Sequence, residues 1–322
     1  MSEIVAVDIG GTHARFALAR VEDGRVVSLG KVCTLRTAEH ASLETAWEAF
    51  GASVGRTLPP AAAIAVAGPV QGEVLKLTNN PWVVRPASLP QRLGVERYSL
   101  VNDFGAVAHA VAQLGDEHFD RLCGPDRPLP EEGVITIVGP GTGLGVAQLL
   151  RRGGHYHVIE TEGGHIDFAP LDSLEDRILA QLRARYRRVS IERVASGMGL
   201  SNLYEALAAI EGRDAKFRDE KALWQAAMAG EDNLAAAAFE RFCLSLGAVT
   251  GDIALAQGAE AAVIGGGLGL RLREHLPRSG FRDRFIAKGR FERRMDEMPV
   301  RIITYDQPGL FGAAAAFAQR FT

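Results

Sequence analysis

Two short loops rich in glycine and threonine are the first candidates for a functional site in this sequence. One is Asp-Ile-Gly-Gly-Thr at 8–12, the other is Gly-Pro-Gly-Thr-Gly-Leu-Gly at 139–145, and each follows an apolar run. Such loops present backbone N–H groups and a hydroxyl that suit phosphate oxygens. Either loop alone is also typical of a plain hairpin turn, but the pair could grip one polyphosphate from both sides. The candidate phosphate ligands are Gly10, Gly11, Thr12, Arg15, Gly141, Thr142 and Gly143.

Two further features suit a nucleotide. Asp8 stands at the end of its apolar run, where its carboxylate could hold a hydrated Mg²⁺ ion. The cluster Gly265, Gly266 and Gly267 follows the apolar run 262–264 and precedes a helical pattern. A backbone without side chains at that place would let a flat nucleotide ring lie against it. These features indicate a nucleotide polyphosphate with its magnesium ion.

A second group of candidate residues is polar. Asn102 and Asp103 follow the run 98–101, at the end of a strand where ligand-facing residues of an open α/β sheet lie. Glu162 is followed by two glycines and His165, and Glu192 comes beyond a charged helical stretch. Amide, carboxylate and imidazole groups together offer the donors and acceptors that a polyhydroxylated ligand requires, and we expect the carboxylates of Glu162 and Glu192 to be buried. A lone histidine would more often be a satisfied structural residue, whereas Glu162 beside glycines favours binding.

The elements that must position these residues alternate between strands and helices, which predicts an α/β fold. Each half opens with three successive strands, and the first hairpin of each carries a glycine–threonine loop. This duplication predicts two similar α/β domains facing one another across a cleft. The predicted strands are 4–7, 15–19, 26–29, 64–67, 98–101, 134–138, 146–150, 155–159, 262–264 and 300–303. The predicted helices are 41–50, 104–114, 173–186, 200–210, 233–257 and 309–320.

Several helical stretches carry additional local signals. The segments 105–112, 247–256 and 312–319 are rich in Ala and Gly, which favours close helix packing at a domain hinge or in an ordinary core. Ser173 with Asp176 has the spacing of a capping box, so we expect Ser173 to begin its helix. The arginines at 183–188 then match the end of that helix, rather than a nucleic-acid site.

Rival motifs fail on pattern or context. The sequence contains neither G-x-x-x-x-G-K-[ST] nor an exact G-x-G-x-x-G, which disfavours a Walker-type NTPase and weakens a dinucleotide site. Gly-Ala-Ser-Val-Gly at 51–55 matches a nucleophile elbow, but it follows a helical pattern and predicts the end of a helix. His155 and His157 share one strand face without an evident third metal ligand, which favours a surface hairpin.

Composition excludes several classes of protein. The 322 residues are 47% hydrophobic and 23% charged, with a formal net charge of −3, which disfavours a disordered chain or one that coats nucleic acid or anionic lipid. The 3 cysteines include no C-x-x-C pair, so neither a disulfide framework nor a cysteine-rich zinc site is expected. No basic stretch leads into an apolar segment near the N-terminus, and no membrane span is expected. On these grounds we expect a cytoplasmic protein.

A family resemblance runs through the motifs in order. Asp-Ile-Gly-Gly-Thr-His-Ala-Arg at 8–15, Val-Asn-Asp-Phe at 101–104 and Glu-Gly-Gly-His-Ile-Asp-Phe-Ala-Pro at 162–170 resemble bacterial glucokinases of the enteric type. The same holds for the glycine loop that begins at Gly139 and for 66–70, 77–82, 192–197 and 305–310. The resemblance implies the hexokinase/actin/Hsp70-like fold, with a small domain of 1–112 plus 304–322 and a large domain of 113–303.

The same resemblance implies ATP-dependent phosphorylation of glucose at its 6-hydroxyl, with Mg²⁺ and a homodimer. Carried onto matching positions, it makes Asp103 the catalytic base, gives the two loops the phosphates, and gives 265–267 the adenosine. The sugar ligands that it implies are Asn102, Asp103, Glu162, His165, Glu192 and Asn79 or Asn80. The zinc motif of the repressor/kinase sugar enzymes is absent. A fructose or mannose kinase, a nucleotide-driven binding module and a sugar-responsive transcription factor are the alternatives.

Overall fold

The computed structural model describes residues 2–77 and 79–322. The chain divides into two compact units: unit 1 is Met1–Gly115 with Tyr305–Thr322, and unit 2 is Asp116–Thr304. Each unit combines a mixed β-sheet with helices. The α/β character expected from the alternating sequence pattern is therefore confirmed.

The described residues form the following elements. The strands are β1 (Ser2–Ile9), β2 (His13–Glu22), β3 (Arg25–Leu29), β4 (Cys33–Arg36), β5 (Ala61–Val66), β6 (Leu75–Lys76), β7 (Val83–Val84), β8 (Arg97–Asn102), β9 (Phe119–Cys123), β10 (Gly133–Pro140), β11 (Leu144–Arg152), β12 (His155–Thr161), β13 (Ala261–Ile264) and β14 (Val300–Ile303). The helices are α1 (Leu43–Val54), α2 (Leu89–Leu93), α3 (Asp103–Gln113), α4 (Ser173–Arg185), α5 (Gly197–Ile210), α6 (Glu220–Ala229), α7 (Asn233–Gln257), α8 (Gly266–Arg271), α9 (Phe281–Ile286), α10 (Glu292–Asp296) and α11 (Pro308–Phe321).

The two sheets share one topology, so the duplication seen in the sequence is real. In unit 1 the order is β3-β2-β1-β5-β8, with β4 pairing with β2 as well. In unit 2 the order is β12-β11-β10-β13-β14-β9. In both, the first three strands form an antiparallel meander, and the next two strands continue the sheet in parallel from the first. Parallel strands need crossover connections, which the helices between them supply.

The two glycine–threonine loops occupy equivalent places but differ chemically. Register pairs Asp8 with Arg15 at the head of the first hairpin of unit 1. The equivalent pair at the head of the first hairpin of unit 2 is Gly139 with Gly145. These equivalent positions therefore carry an ionic pair in unit 1 and two glycines in unit 2.

Helix packing explains the small residues that the sequence concentrates in three helices. A Cβ on Gly312 of α11 would lie 1.7 Å from the carbonyl oxygen of Ala106 in α3, so these two helices touch backbone to backbone. In α7, a Cβ on Gly247 would lie 2.1 Å from the carbonyl oxygen of Phe281 in α9. The first contact lies inside unit 1 and the second inside unit 2, so close packing of each core accounts for the small side chains.

Helix α7 has the length and apolar composition of a membrane-crossing helix, and it is the single helix of that kind among residues 2–77 and 79–322. The apolar stretch is 67% buried inside the protein, as in the core helix of a globular domain. Its side chains Phe242 and Leu246 belong to the hydrophobic core of unit 2.

Local signals were right at one helix end and wrong at another. Helix α1 ends at Val54 with Gly55 in the left-handed conformation, so the 51–55 motif is a helix terminus as expected. Helix α4 begins at Ser173 as expected, but the capping-box expectation is wrong: Asp172 caps α4, because its carboxylate accepts the N–H of Glu175. The Asp172 carboxylate also forms a salt bridge with Arg284 at 2.7 Å, and an uncharged serine could not form such an ion pair.

Candidate active site

In unit 1, Asp8 lies near the end of β1 with its side chain 17% exposed. Its Oδ2 accepts Nη1 of Arg15 at 3.2 Å across the hairpin. Burial raises the pKa of the Asp8 carboxyl above its ordinary value, and the neighbouring guanidinium opposes that shift. Arg15, a candidate phosphate ligand, is thus also the counter-ion of the candidate metal ligand.

The loop of unit 1 is tied to the asparagine pair at 79–80. The amide Nδ2 of Asn80 donates to the carbonyl of Gly10 at 2.9 Å, and its Oδ1 accepts the N–H of Trp82 at 2.9 Å. Asn80 therefore holds the glycine loop, a role that the sequence did not suggest. Asn79 is exposed and adopts a positive φ of 54°, which asparagine tolerates better than most residues.

Asn102 and Asp103 stand at the junction of β8 and α3. Asn102 is the N-cap of α3: its Oδ1 accepts the N–H groups of Phe104 and Gly105, while Nδ2 donates to the carbonyl of Gly68 at 3.1 Å. Asp103 is the first residue of the helix, and its Oδ1 accepts the N–H of Phe104 at 2.9 Å. The first turn of a helix is a favourable place for a carboxylate. Strand, cap and helix together fix the position of Asp103.

In unit 2, the loop 141–143 is held from two directions. The carbonyl of Gly141 accepts the N–H of Gly197 at 2.7 Å, where α5 begins. The Oε2 atom of Glu192 accepts the N–H of Leu144, the residue directly after the loop, at 3.0 Å. A Cβ on Gly143 would lie 2.4 Å from that oxygen, so the carboxylate needs a glycine at this point. Glu192 is therefore a loop-holding residue as well as a candidate sugar ligand.

Near the same loop, Glu162 directly precedes the 3-10 helix Gly163–His165, and His165 is the last residue of that helix. Oε2 of Glu162 and Nε2 of His165 are 4.0 Å apart, with the side chains 65% and 57% exposed. The expectation that Glu162 is buried is therefore wrong: its carboxylate faces solvent. A Cβ on Gly164 would lie 2.1 Å from the carbonyl oxygen of Leu144, so the turn packs directly on the strand that follows the loop.

The third glycine cluster lies at the start of α8. The N–H of Gly265 donates to the carbonyl of Val138 at 2.9 Å, which joins this cluster to β10 just before the loop 141–143. Gly266 has a positive φ of 78°, and a Cβ on Gly267 would meet no atom within 4 Å. Gly267 therefore has open space above it, as the binding of a flat ring would require.

Gly197 and Trp224 lie close to the loop 141–143 of unit 2, although sequence reasoning assigned a role to neither. The N–H of Gly197 donates to the loop, as described, and its carbonyl accepts Nε1 of the buried Trp224 at 3.2 Å. The guanidinium of Arg271, at the end of α8, lies 5.1 Å from the Trp224 ring. The glycines at 197 and 199 were the available signal, because two glycines at the start of a helix indicate close backbone contacts.

The donor set suits a magnesium ion that arrives with phosphates. Among residues 2–77 and 79–322 no cluster of three or more His, Cys, Asp or Glu side chains could form a metal cage. Magnesium is commonly held by one or two carboxylates together with substrate phosphates. A single carboxylate at Asp8 beside a phosphate-type loop fits that arrangement, and His155 with His157 stays a surface pair.

Comparison with solved structures defines the class of protein. The chain aligns with the crystal structure of a glucokinase from an Antarctic psychrotroph at a TM-score of 0.85 and 35% identity, covering 98% of both chains. It also aligns with a ROK family glucokinase from Streptomyces griseus in complex with glucose and AMPPNP, at a TM-score of 0.63, 22% identity and 99% of both chains. By fold the protein is a sugar kinase with an actin-like ATPase fold, as the sequence resemblance implied.

Sequence comparison narrows this class. The family model described as Glucokinase matches residues 5–320. The glucokinase of Zymomonas mobilis subsp. mobilis is 67% identical over 320 residues, which is 99% of both chains. The chain belongs to the glucokinase family.

Proposed function

We propose that this protein transfers the terminal phosphoryl group of ATP to the 6-hydroxyl of glucose, giving glucose 6-phosphate and ADP at the start of glycolysis. One observation carries the proposal. In unit 2, the phosphate-type loop 141–143 leads directly into Leu144, whose backbone contacts both Glu192 and the turn that bears Glu162 and His165. One short segment therefore connects the loop proposed for the phosphates with the residues proposed for the sugar, which supports the proposal.

Asp103 is the proposed catalytic base. A sugar hydroxyl is a poor nucleophile at neutral pH, so its proton must move to an acceptor as the oxygen attacks the terminal phosphorus. The bond from that phosphorus to the β-phosphate oxygen then breaks, and ADP leaves. The carboxylate of Asp103 is suited to accept the proton because β8, the Asn102 cap and α3 all fix its position.

The other groups bind and orient. Glu162, His165 and Glu192 accept hydrogen bonds from the sugar hydroxyls or donate to them, with Asn102 and Asn79 or Asn80 as further sugar ligands. Gly10, Gly11, Thr12, Arg15, Gly141, Thr142 and Gly143 bind the phosphates, and Gly265, Gly266 and Gly267 the adenosine. Asp8 would hold the Mg²⁺ that comes with ATP, and the ion would neutralise phosphate charge.

Assembly and location complete the proposal. We propose a homodimer in the cytoplasm that takes glucose and ATP as its small-molecule substrates and uses neither nucleic acid nor membrane as a partner. Sedimentation velocity at several protein concentrations measures the oligomeric state, and a single monomeric species at all of them would contradict the dimer.

A coupled assay of ADP release tests the activity. The purified protein is given ATP and Mg²⁺ with glucose, with fructose, with mannose or without sugar. We expect rapid ADP release with glucose and almost none without sugar. Equal rates without sugar would indicate a nucleotide-driven binding module, and a higher kcat/KM for fructose or mannose would reassign the substrate.

A further inference from the structure

The segment 305–310, Tyr-Asp-Gln-Pro-Gly-Leu, has no role in the proposed function, although it leads into the last helix of the chain. Helix α11 begins at Pro308, so Gly309 is its second residue. A Cβ on Gly309 would lie 2.9 Å from both Cγ and Oδ2 of Asp8, and 3.2 Å from Oδ1. The whole carboxylate of Asp8 therefore rests against the α-carbon of this glycine.

The packing of helix α11 prevents it from moving away from Asp8. Its residues Leu310, Ala313 and Phe317 are fully buried in the core of unit 1. One turn beyond Gly309, the contact of Gly312 with the backbone of Ala106 fixes α11 against α3. Because packed backbone has no free space into which to move, an added methyl group at 309 must displace the carboxylate instead.

The Asp8 carboxylate has a second close neighbour, Arg15. Nη1 of Arg15 lies 3.2 Å from Oδ2 of Asp8, and register places both residues opposite each other at the head of the β1–β2 hairpin. Arg15 and Gly309 thus both constrain one carboxylate, Arg15 by its charge and Gly309 by its close contact. Glycine is a poor helix former, so its presence in the first turn of α11 calls for such a spatial reason.

We propose that Gly309 is a positioning residue that sets the orientation of the Asp8 carboxylate toward the magnesium ion of ATP. The inference rests on the role that the proposed function gives to Asp8, and it extends that role to the C-terminal helix. Helix α11 then sets two groups of the reaction at once: it contacts Asp8 through Gly309, and through Gly312 it contacts α3, whose first residue is Asp103.

The test compares Gly309→Ala in two backgrounds, one with Asp8 intact and one with Asp8→Ala. With Asp8 intact, we expect kcat to fall about 10-fold to 100-fold, because small displacements of a reacting group have effects of that size. The Mg²⁺ concentration for half-maximal rate should rise, while the KM for glucose stays unchanged. With Asp8→Ala, the added methyl group should cause no further fall in kcat.

Gly51→Ala is the matched control. Gly51 lies inside α1 of the same unit, and its Cβ would meet only Leu58 side-chain atoms at 3.4 Å and 3.6 Å. This variant should keep full activity and the Mg²⁺ dependence of the unmodified protein. Equal losses from Gly51→Ala and Gly309→Ala would mean that helix glycines in this unit matter in general, which overturns the proposal.

Urea unfolding of the same variants gives a readout that needs no activity. Gly309→Ala should raise the unfolding midpoint in the Asp8→Ala background, where only the better helix propensity of alanine acts, and should fail to raise it with Asp8 intact. Equal shifts in the two backgrounds would overturn the contact. If the protein shows no glucose-dependent ADP release, the proposed function fails, and this coupling still decides whether Gly309 positions Asp8.

Discussion

The carboxylate of Asp103 is the group whose loss should harm the chemical step most. Asp103→Asn keeps the size of the side chain and its hydrogen bond to Phe104 but cannot accept a proton at neutral pH. We expect kcat to fall about 10²-fold to 10⁴-fold, the usual contribution of a general base. Steady-state kinetics measure this fall, and glucose binding measured by calorimetry should be unchanged. Near-normal kcat in Asp103→Asn with no activity in Glu162→Gln would make Glu162 the base.

Removing the Glu192 side chain should affect the binding of both substrates, whereas removing the Glu162 side chain should affect glucose binding alone. Glu192→Ala removes the acceptor for the N–H of buried Leu144, and an unmet buried donor costs about 1–3 kcal/mol. The loop 141–143 should loosen, so we expect the KM for ATP and the KM for glucose both to rise. Glu162→Ala is the control, because this exposed carboxylate takes no part in the backbone bonds of the loop described above and should change only the KM for glucose. A normal KM for ATP in Glu192→Ala would contradict the loop-holding role.

At the scale of the elements, we expect the buried His109 of helix α3 to make the stability of the protein depend on pH. Burial of His109 in this helix lowers its pKa to about 4. The unfolded chain has the ordinary histidine pKa of about 6.5, so between these values it binds a proton that the folded protein does not. The full stability is therefore present above about pH 6.5, and the free energy of unfolding falls as the pH drops toward 4, by up to about 1.4 kcal/mol per pH unit.

Urea unfolding at several pH values measures this slope. His109→Gln should remove this slope. The difference in free energy of unfolding, unmodified protein minus variant, should therefore decrease steadily as the pH falls from about 6.5 to about 4. His157→Gln, on the exposed strand β12, is the matched control and should leave the slope intact. Parallel curves for the unmodified protein and His109→Gln would contradict the prediction.

In the molecule as a whole, unit 2 is formed by one continuous segment of the chain, whereas unit 1 is formed by two separate segments. The core of unit 2 is built entirely from residues between Leu122 and Ile302. In unit 1 the sheet packs on α11, which contributes Leu310, Ala313 and Phe317 from the far end of the chain. A single contiguous segment thus contains one complete hydrophobic core, whereas the other core needs both ends of the chain.

We therefore predict that the fragment 116–304 folds by itself. Circular dichroism should show helix and strand, and urea should unfold the fragment in one cooperative transition. The fragment 1–115, which lacks α11, should not show such a transition, because the apolar face of its sheet loses its cover. A non-cooperative melt of 116–304 would show that unit 2 depends on unit 1 for its stability.

Local sequence was enough to predict the elements that bear the site. Apolar runs and glycine turns predicted β1, β2, β10 and β11, because burial and turn formation depend on residues close together in the chain. The same reasoning missed β4 and β9, whose mixed polar and apolar residues lie at sheet edges, and α6, which begins with polar residues. Short edge strands are stabilised by their partners more than by their own pattern.

How the candidate residues are held became visible only once the chain was folded. The hydrogen bonds from Leu144 to Glu192 and from Asn80 to Gly10 join residues 48 and 70 positions apart, and the contact of Gly309 with Asp8 joins the two ends of the chain. From residue type alone, Glu192, Asn80 and Asp8 were predicted to bind ligands, and Gly309 was given no role. Which partner a polar group finds depends on how sheets and helices pack, because a hydrogen bond needs a donor and an acceptor about 3 Å apart, and packing sets that distance.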